Sequence, residues 1–200
     1  DQQILEAMCA DWEMVDVEGD DDSKFAKFND ILKHELFMKD RNPGQKLVIF
    51  SESKDTVEYL QRRLNRKDVL VIDSSNRTKL FKTIQENFDA NYKKSLRKDD
   101  YNIIITTDVL AEGVNLHRSN IIINYDTPWN STKLMQRIGR VNRIGSEGKN
   151  IYNYVFYPSR QGNQIIKLNQ IALSKIQTFH STFGEDNQIY SQEEIIDRNL

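Results

Sequence analysis

The sequence has a single cysteine, Cys9, and none of its apolar runs is long. One thiol excludes an internal disulfide framework and a cysteine-based metal site, and it fits the reducing cytoplasm as the compartment. No apolar run approaches the roughly 18 residues that a membrane-spanning helix needs, and no signal peptide opens the chain. The three histidines, His34, His117 and His180, share no metal-ligand spacing. We therefore predict neither a membrane segment nor a metal site.

An excess of positive charge is also missing. The net charge is −2 and the isoelectric point is about 6.0, which excludes a protein that coats nucleic acid with its whole surface. A protein whose basic residues line one groove remains compatible with this balance. With 38% hydrophobic and 29% charged residues, the composition is that of an ordinary globular chain and not of a disordered one.

Short apolar runs alternate with helical stripes along the chain. Val57, Leu60 and Leu64 mark one helix, and Leu80, Ile84 and Phe88 mark a second. The runs that predict strands cover residues 46–50, 68–72, 103–107, 120–125 and 151–156. This alternation predicts an α/β fold of three layers, in which a parallel sheet has helices on both faces. Residues at the carboxyl ends of the strands are then the expected ligand-facing positions.

Composition also suggests how the chain divides. Residues 1–22 end in an acidic cluster and are predicted to be an N-terminal flank or linker. The globular domain is predicted over residues 23–160, and the helical stripe that follows predicts a C-terminal helical extension over residues 161–200. Because the chain begins with Asp1 and not with methionine, we expect a piece of a longer protein.

The ten residues QRIGRVNRIG, which begin at Gln136, place two kinds of side chain on opposite sides of a predicted helix. Gln136, Arg140 and Arg143 share a helical spacing and form a polar stripe. The opposite side is apolar and consists of Leu134, Ile138 and Val141. Arginine is suited to bidentate contacts with phosphate, so the stripe is a candidate anion clamp. Spacing alone leaves open a solvated basic face.

Three segments in order resemble a known family. They are IIITTDVLAEGVNL, IIINYDTPWN and QRIGRVNR. Thr107, Asp108 and residues 112–115 match motif V, and residues 136–143 match motif VI, of the second RecA-like domain of superfamily 2 helicases and translocases. The resemblance is greatest to the chromatin-remodeller-like branch, including its bacterial members. It implies a RecA-like fold, the second domain of a P-loop NTPase-type pair.

The resemblance implies roles for the residues of the stripe and of motif V. Arg140 and Arg143 would be arginine fingers that reach ATP bound to a partner domain, and Gln136 would orient one of them or another group of the cleft. Gly113 and Asn115 would line the nucleotide cleft. Asn115 departs from the family, because relatives often have aspartate there.

Three hydroxyl residues are implied contacts to a nucleic-acid backbone. They are Ser51 in the motif IV loop, Thr107, and Ser75, near which relatives commonly have glycine. Ser51 has an alternative role, since it can cap the helix that follows it. Asp108 likewise can cap the next turn through its carboxylate, and this role is compatible with a functional one.

Two motifs needed for ATP hydrolysis are absent from the sequence. It has no G-x-x-x-x-G-K-[ST] loop to cradle a triphosphate and no acidic DEAD-like box. We therefore expect that ATP and its Mg²⁺ are held by a first RecA-like domain outside this chain, and that the chain alone is inactive. The resemblance implies the C-terminal motor domain of an ATP-dependent DNA helicase or translocase acting on a backbone, with duplex DNA favoured. A catalytically silent protein-interaction domain with the helicase fold is the alternative.

Overall fold

The computed structural model describes residues 22–127 and 131–156. The chain divides between Met38 and Lys39 into two compact units. The first unit contains helix α1, Ser23–His34, which begins where the carboxylate of Asp22 accepts a hydrogen bond of 2.9 Å from the backbone N–H of Phe25. Residues 1–21 of the predicted flank and the whole predicted extension, 161–200, lie outside the described residues.

The second unit is built on a sheet of five parallel strands. These are β1 (Leu47–Phe50), β2 (Val69–Ile72), β3 (Ile103–Thr106), β4 (Ile121–Asn124) and β5 (Tyr152–Val155), in the order β2-β3-β1-β4-β5. All five predicted strands are confirmed, each with ends within one residue of the apolar run that predicts it. The register places Phe50 level with Thr106 on one side and with Asn124 on the other. The loops that leave these strands therefore start at one edge of the sheet.

Helices cover both faces of the sheet. They are α2 (Lys54–Leu64), α3 (Arg77–Phe88) and α4 (Ser131–Val141), and two single 3-10 turns lie at Lys94–Leu96 and Asp108–Leu110. Crossovers between parallel strands are right-handed. Across the sheet, the chain moves in one direction from β1 to β2, and in the opposite direction from β2 to β3 and from β4 to β5. Hence α2 lies on one face, and α3 and α4 lie on the other, which confirms the three-layer prediction.

The core between the sheet and the pair α3–α4 is continuous and apolar. Along β1, Val48 and Phe50 point into it, whereas Leu47 and Ile49 are equally buried and point to the face that carries α2. The core also contains Ile84, Phe88, Ile104, Ile122, Leu134, Ile138 and Val141. Because β1 is buried on both faces, its sequence is a continuous apolar run and not an alternating one.

A buried lysine lies at the amino edge of the sheet, directly before the start of β1. The ammonium of Lys46 is fully buried and donates 2.8 Å to the carbonyl of Tyr101, and it pairs with Asp99 at 2.9 Å. Burial lowers the pKa of Lys46 from its ordinary value, and Asp99 opposes this shift. Asp99 also pairs with Arg118 at 2.7 Å. These contacts tie the loop before β3 to the segment before β4.

Candidate functional site

Helix α4 docks by its apolar side, as the sequence predicts. Leu134, Ile138 and Val141 are 3%, 8% and 0% exposed, whereas Arg140 is half-buried. A hydrogen bond of 2.9 Å from the backbone N–H of Leu116 to the carbonyl of Arg140 fixes the later part of the helix against the segment after β3. The polar side of α4 therefore faces away from the core and beside residues 112–116.

The placement of Arg143 on this helix is wrong. α4 ends at Val141, and Arg143 lies two residues beyond that end. The helical hydrogen bonds stop because the chain turns at Arg143–Ser146, where Gly145 adopts a φ of +91°, a conformation that an L side chain rarely tolerates. Arg143 still folds back on the helix, since its Nε donates 3.2 Å to the carbonyl of Gly139.

Arg140 and Arg143 remain available to an anion. In the described part of the chain, neither guanidinium forms an ion pair with a carboxylate, and the one hydrogen bond of each goes to a backbone carbonyl of α4. Burial lowers the pKa of Arg140, the charge of Arg143 lowers it further, and Glu112 opposes both effects. Two like charges on a partly buried surface repel each other, and a phosphate between them would relieve that repulsion.

Gln136 and Gly113 lie beside this pair. The amide Nε2 of Gln136 donates 3.3 Å to Oε1 of Glu112, the residue before Gly113. Gly113 is exposed, has a φ of +73° and begins the turn into Val114. The structure therefore brings Gln136, Arg140 and Gly113 to one surface. The side chain of Asn115 is directed elsewhere, because its amide donates 3.1 Å to Asp89 at the end of α3.

Arg137 points into the domain and is fully buried. Its Nε donates 2.8 Å to Asp108, its Nη2 lies 2.6 Å from the same carboxylate oxygen, and its Nη1 donates 2.9 Å to Asn124. The guanidinium also lies over the ring of Phe50, 5.1 Å from the centroid. This arginine therefore joins α4 to the ends of β1, β3 and β4, and its charge faces away from the polar stripe.

The alternative in which Asp108 caps the following turn is wrong. Its carboxylate binds Arg137 and the ammonium of Lys133, the latter at 2.8 Å. Burial alone would raise the pKa of Asp108, but Lys133 and Arg137 hold that pKa below its ordinary value. Lys133 also approaches Glu52 at 3.7 Å. Two cations of α4, Lys133 and Arg137, thus neutralise the carboxylates at the carboxyl edge of the sheet.

The three hydroxyl residues lie at this same edge but differ in exposure. Ser51 is fully buried, and its hydroxyl donates to Asp126. The capping role considered for Ser51 is wrong, since Ser53 accepts the bond from Asp55 at the start of α2. Thr107 is half-buried, and its hydroxyl has no hydrogen-bond partner among the residues that the structure describes. Ser75 is exposed and donates 2.5 Å to Asp73 within its own loop.

Sequence reasoning missed two cations that hold this site together. Lys133 lies in the first turn of α4, and Arg77 is the first residue of α3. The positive end of the helix dipole disfavours a cation at either position, so an arginine or lysine there signals a specific partner. The partner of Arg77 is the carbonyl of Glu112, to which its Nη2 donates 2.7 Å.

Two further observations concern metal sites and membrane-spanning helices among the described residues. Within residues 22–127 and 131–156, no cluster of three or more His, Cys, Asp or Glu side chains is arranged to hold a metal ion. No helix in those ranges has both the length and the apolar character needed to cross a membrane.

Comparisons with known proteins give a consistent result. A sequence-family model described as the helicase conserved C-terminal domain matches residues 24–145. The chain is 32% identical over 148 residues to an uncharacterized ATP-dependent helicase, YqhH, of Bacillus subtilis, covering 74% of this chain and 25% of that protein. It is 29% identical over 139 residues to the ATP-dependent RNA helicase eIF4A of Candida glabrata, covering 70% of this chain and 31% of that protein. The chain thus spans about a quarter to a third of the length of these relatives.

A solved structure shares the fold. It is the crystal structure of the C-terminal part of the Fun30 ATPase domain, which superposes with a TM-score of 0.54 at 21% identity and covers 74% of this chain and 44% of that one. At this level of identity the likeness concerns the arrangement of strands and helices alone.

Proposed function

Since the chain belongs to the helicase conserved C-terminal domain family, we propose that it is the second half of an ATP-driven nucleic-acid motor. The resemblance of its motifs to a second RecA-like domain is confirmed by the family match. In the full protein, ATP would bind between the first RecA-like domain and the surface that carries Gln136, Arg140 and Gly113. The Mg²⁺ that accompanies ATP is assigned to the first domain.

One observation carries this proposal. Arg140 and Arg143 lie beside each other without a carboxylate partner in the described ranges, whereas Arg137, three residues before Arg140, is fully neutralised by Asp108. The arginine of α4 that faces the core is therefore paired with a carboxylate, and the two proposed fingers are not. In the assembled motor they would stabilise the charge that develops on the transferred phosphoryl group.

The fit of the site to phosphate is supported by its remaining groups. Gly113 lies in an exposed turn with a left-handed backbone beside the proposed fingers, and the exposed peptide groups of such a turn suit contact with phosphate. Gln136 is held by Glu112 next to Arg140 and is placed to orient a finger. Asn115 would line the same cleft after giving up its bond to Asp89.

Nucleic acid is proposed to bind at the carboxyl edge of the sheet. The exposed loop of Ser75 and the unpartnered hydroxyl of Thr107 suit backbone phosphate, and a contact from Ser51 would need movement of the loop that buries it. Duplex DNA is favoured by the remodeller-like character of YDTPWN and RVNRIG. RNA is the second candidate, because the relative from Candida glabrata is named an RNA helicase.

The finger assignment is tested by Arg140→Ala and Arg143→Ala in the full-length protein. Because a finger acts chiefly in the transition state, kcat should fall roughly a thousandfold while ATP affinity changes little. Arg62→Ala is the control, since Arg62 is an exposed arginine in the last turn of a different helix, α2. Unchanged turnover in both finger variants would assign the arginines to structure.

The substrate is tested by stimulation of the ATPase. Duplex DNA should raise the turnover of the full-length protein more than single-stranded RNA does, and stimulation by RNA alone would replace DNA with RNA in the proposal. A full-length protein with an intact phosphate loop but no turnover with any nucleic acid would support the silent interaction domain.

A further inference from the structure

We propose that Arg77, which no recognised motif contains, is a positioning residue that holds the turn at Glu112 and Gly113 in the shape that receives the nucleotide. This inference rests on the proposed function of the Gly113 surface. It adds to that site a residue of α3, since Arg77 lies 35 positions before Glu112 in the sequence.

The contact is direct and specific. Nη2 of Arg77 donates 2.7 Å to the backbone carbonyl of Glu112. The next residue is Gly113, and a Cβ added there would lie 2.6 Å from the same Nη2, closer than real Cβ contacts come. The guanidinium therefore fills the space beside Gly113 that a side chain would otherwise take. A Cβ at Gly113 would displace this guanidinium, and the φ of +73° disfavours a side chain there in any case.

Arg77 reaches the turn from a rigid base. The loop before α3 is closed by its own side chains, because the carboxylate of Asp73 accepts 2.8 Å and 3.1 Å bonds from the backbone N–H groups of Ser75 and Asn76. The amide of Asn76 in turn donates 3.1 Å to the carbonyl of Val71, at the end of β2. A guanidinium that projects from this anchored loop can fix a neighbouring turn that has few bonds of its own.

Local stability does not account for an arginine at this position. A cation in the first turn of a helix is opposed by the helix dipole. The Nε of Arg77 is also buried without an acceptor in the described ranges, and a buried donor without a partner is unfavourable. The role that remains for the guanidinium is its contact with Glu112 and Gly113.

The same turn is held from its other side by the proposed catalytic helix. Oε1 of Glu112 accepts a bond of 3.3 Å from Gln136, while the carbonyl of Glu112 accepts the bond from Arg77. Glu112 is therefore fixed at the backbone by α3 and at the side chain by α4. Loss of the contact between Arg77 and the Glu112 carbonyl should loosen the turn at Gly113 both in the free protein and in the ATP complex. Because binding of ATP and of the transition state is then weakened alike, the KM for ATP should rise more than kcat falls.

The first test measures the turn itself and does not depend on activity. Arg77→Met in the full-length protein should raise the hydrogen–deuterium exchange rate of the two amides that flank the turn, those of Ala111 and Leu116, by about tenfold. Their backbone N–H groups are hydrogen-bonded to the carbonyls of Asp108 and Arg140, and the charged hydrogen bond that holds the turn between them is lost. Arg66→Met is the matched control, since Arg66 is an exposed arginine paired with Asp68 away from this turn, and it should leave that exchange unchanged. If Arg77→Met does not fold, Arg77→Lys, which keeps the charge and shortens the reach, takes its place.

The second test separates this inference from the proposed function. Arg77→Met should raise the KM for ATP about threefold to tenfold with kcat within a factor of about two, whereas Arg140→Ala should collapse kcat. Unchanged exchange at Ala111 and Leu116 overturns the role of Arg77 whatever the finger variants do. Altered exchange with an unchanged KM reduces Arg77 to a structural residue. A normal kcat for both Arg140→Ala and Arg143→Ala overturns the proposed finger roles and leaves the exchange result standing.

Discussion

Replacement of the buried Arg137 should measure how strongly the sheet holds the helix that carries the proposed fingers. Arg137→Met keeps the length of the side chain and removes its charge. Three contacts are lost, which are the pair with Asp108, the bond to the side chain of Asn124 and the contact with the ring of Phe50. Asp108 keeps Lys133 as a counter-ion at 2.8 Å, so its charge is not left unpaired.

The size of the effect follows from this geometry. Removal of one partner from a buried ion pair lowers the free energy of unfolding by about 3–5 kcal/mol. We expect the lower end, about 3 kcal/mol, for Arg137→Met because Lys133 remains. Asp108→Asn should cost more, since an amide can still accept a hydrogen bond but leaves the charge of the fully buried guanidinium without a counter-ion among the described residues. The double variant should lose about 2 kcal/mol less than the sum of the single losses, because neither charge is then left alone.

Urea unfolding of the chain, followed by far-ultraviolet circular dichroism at pH 7, gives these free energies by linear extrapolation. Lys133→Met is the control, because its side chain is 43% exposed and a surface pair contributes at most about 1 kcal/mol. The reasoning is refuted if the losses from Arg137→Met and Asp108→Asn add to within about 0.5 kcal/mol, since additive losses mean that the two groups do not interact.

Three smaller predictions concern single residues of the same unit. Burial lowers the pKa of His117 below its ordinary 6.5, so the folded protein binds a proton less readily than the unfolded chain. The unfolding free energy should therefore fall by up to about 1.4 kcal/mol per pH unit as the pH drops below 6.5. Urea titrations at about pH 7.5, 6.5 and 5.5 measure this slope, and His117→Gln should flatten it. Gly113→Ala should lower stability by about 1–2 kcal/mol through its positive φ and the contact with Arg77, read as a lower Tm. Ile144→Ser should change stability by less than about 0.5 kcal/mol in the same melts, because Ile144 is 98% exposed.

The layers of the fold could be predicted because each depends on a local pattern. A strand buried on both faces needs a continuous apolar run, and Leu47–Phe50 and residues 121–123 are such runs. The apolar side of α4 needs a period of 3.6, and Leu134, Ile138 and Val141 supply it. The order of the strands cannot be obtained in this way, since β1 pairs with β3 and β4, and nothing in the sequence of β1 specifies its neighbours.

The candidate site was only partly predictable, because its geometry depends on contacts between distant elements. The spacing of Gln136, Arg140 and Arg143 correctly separates a polar from an apolar side, but it assumes a helix that continues past Val141. Gly145 ends that continuation by its left-handed backbone, and the period of the preceding residues carries no information about it.

The pairing of Asp108 is a second example. Its position after β3 suggests a cap, and only the fold brings Arg137 and Lys133, 29 and 25 positions later, to its carboxylate. Periodicity identifies which side of an element a residue occupies. The residue that it meets there is decided by the packing of another element.

These contacts make α4 a rigid connection between two edges of one domain. The helix is about 16 Å long for its 11 residues. Near its start, Lys133 binds Asp108, which directly follows Thr107; near its end, the carbonyl of Arg140 accepts the bond from Leu116. Because Arg137 pins the middle of the helix to Asp108, a backbone phosphate that displaces Thr107 must either shift α4 or break a buried ion pair. Because breaking a buried ion pair costs about 3–5 kcal/mol, we expect contact at the proposed nucleic-acid edge to reach the proposed fingers as a movement of the whole helix.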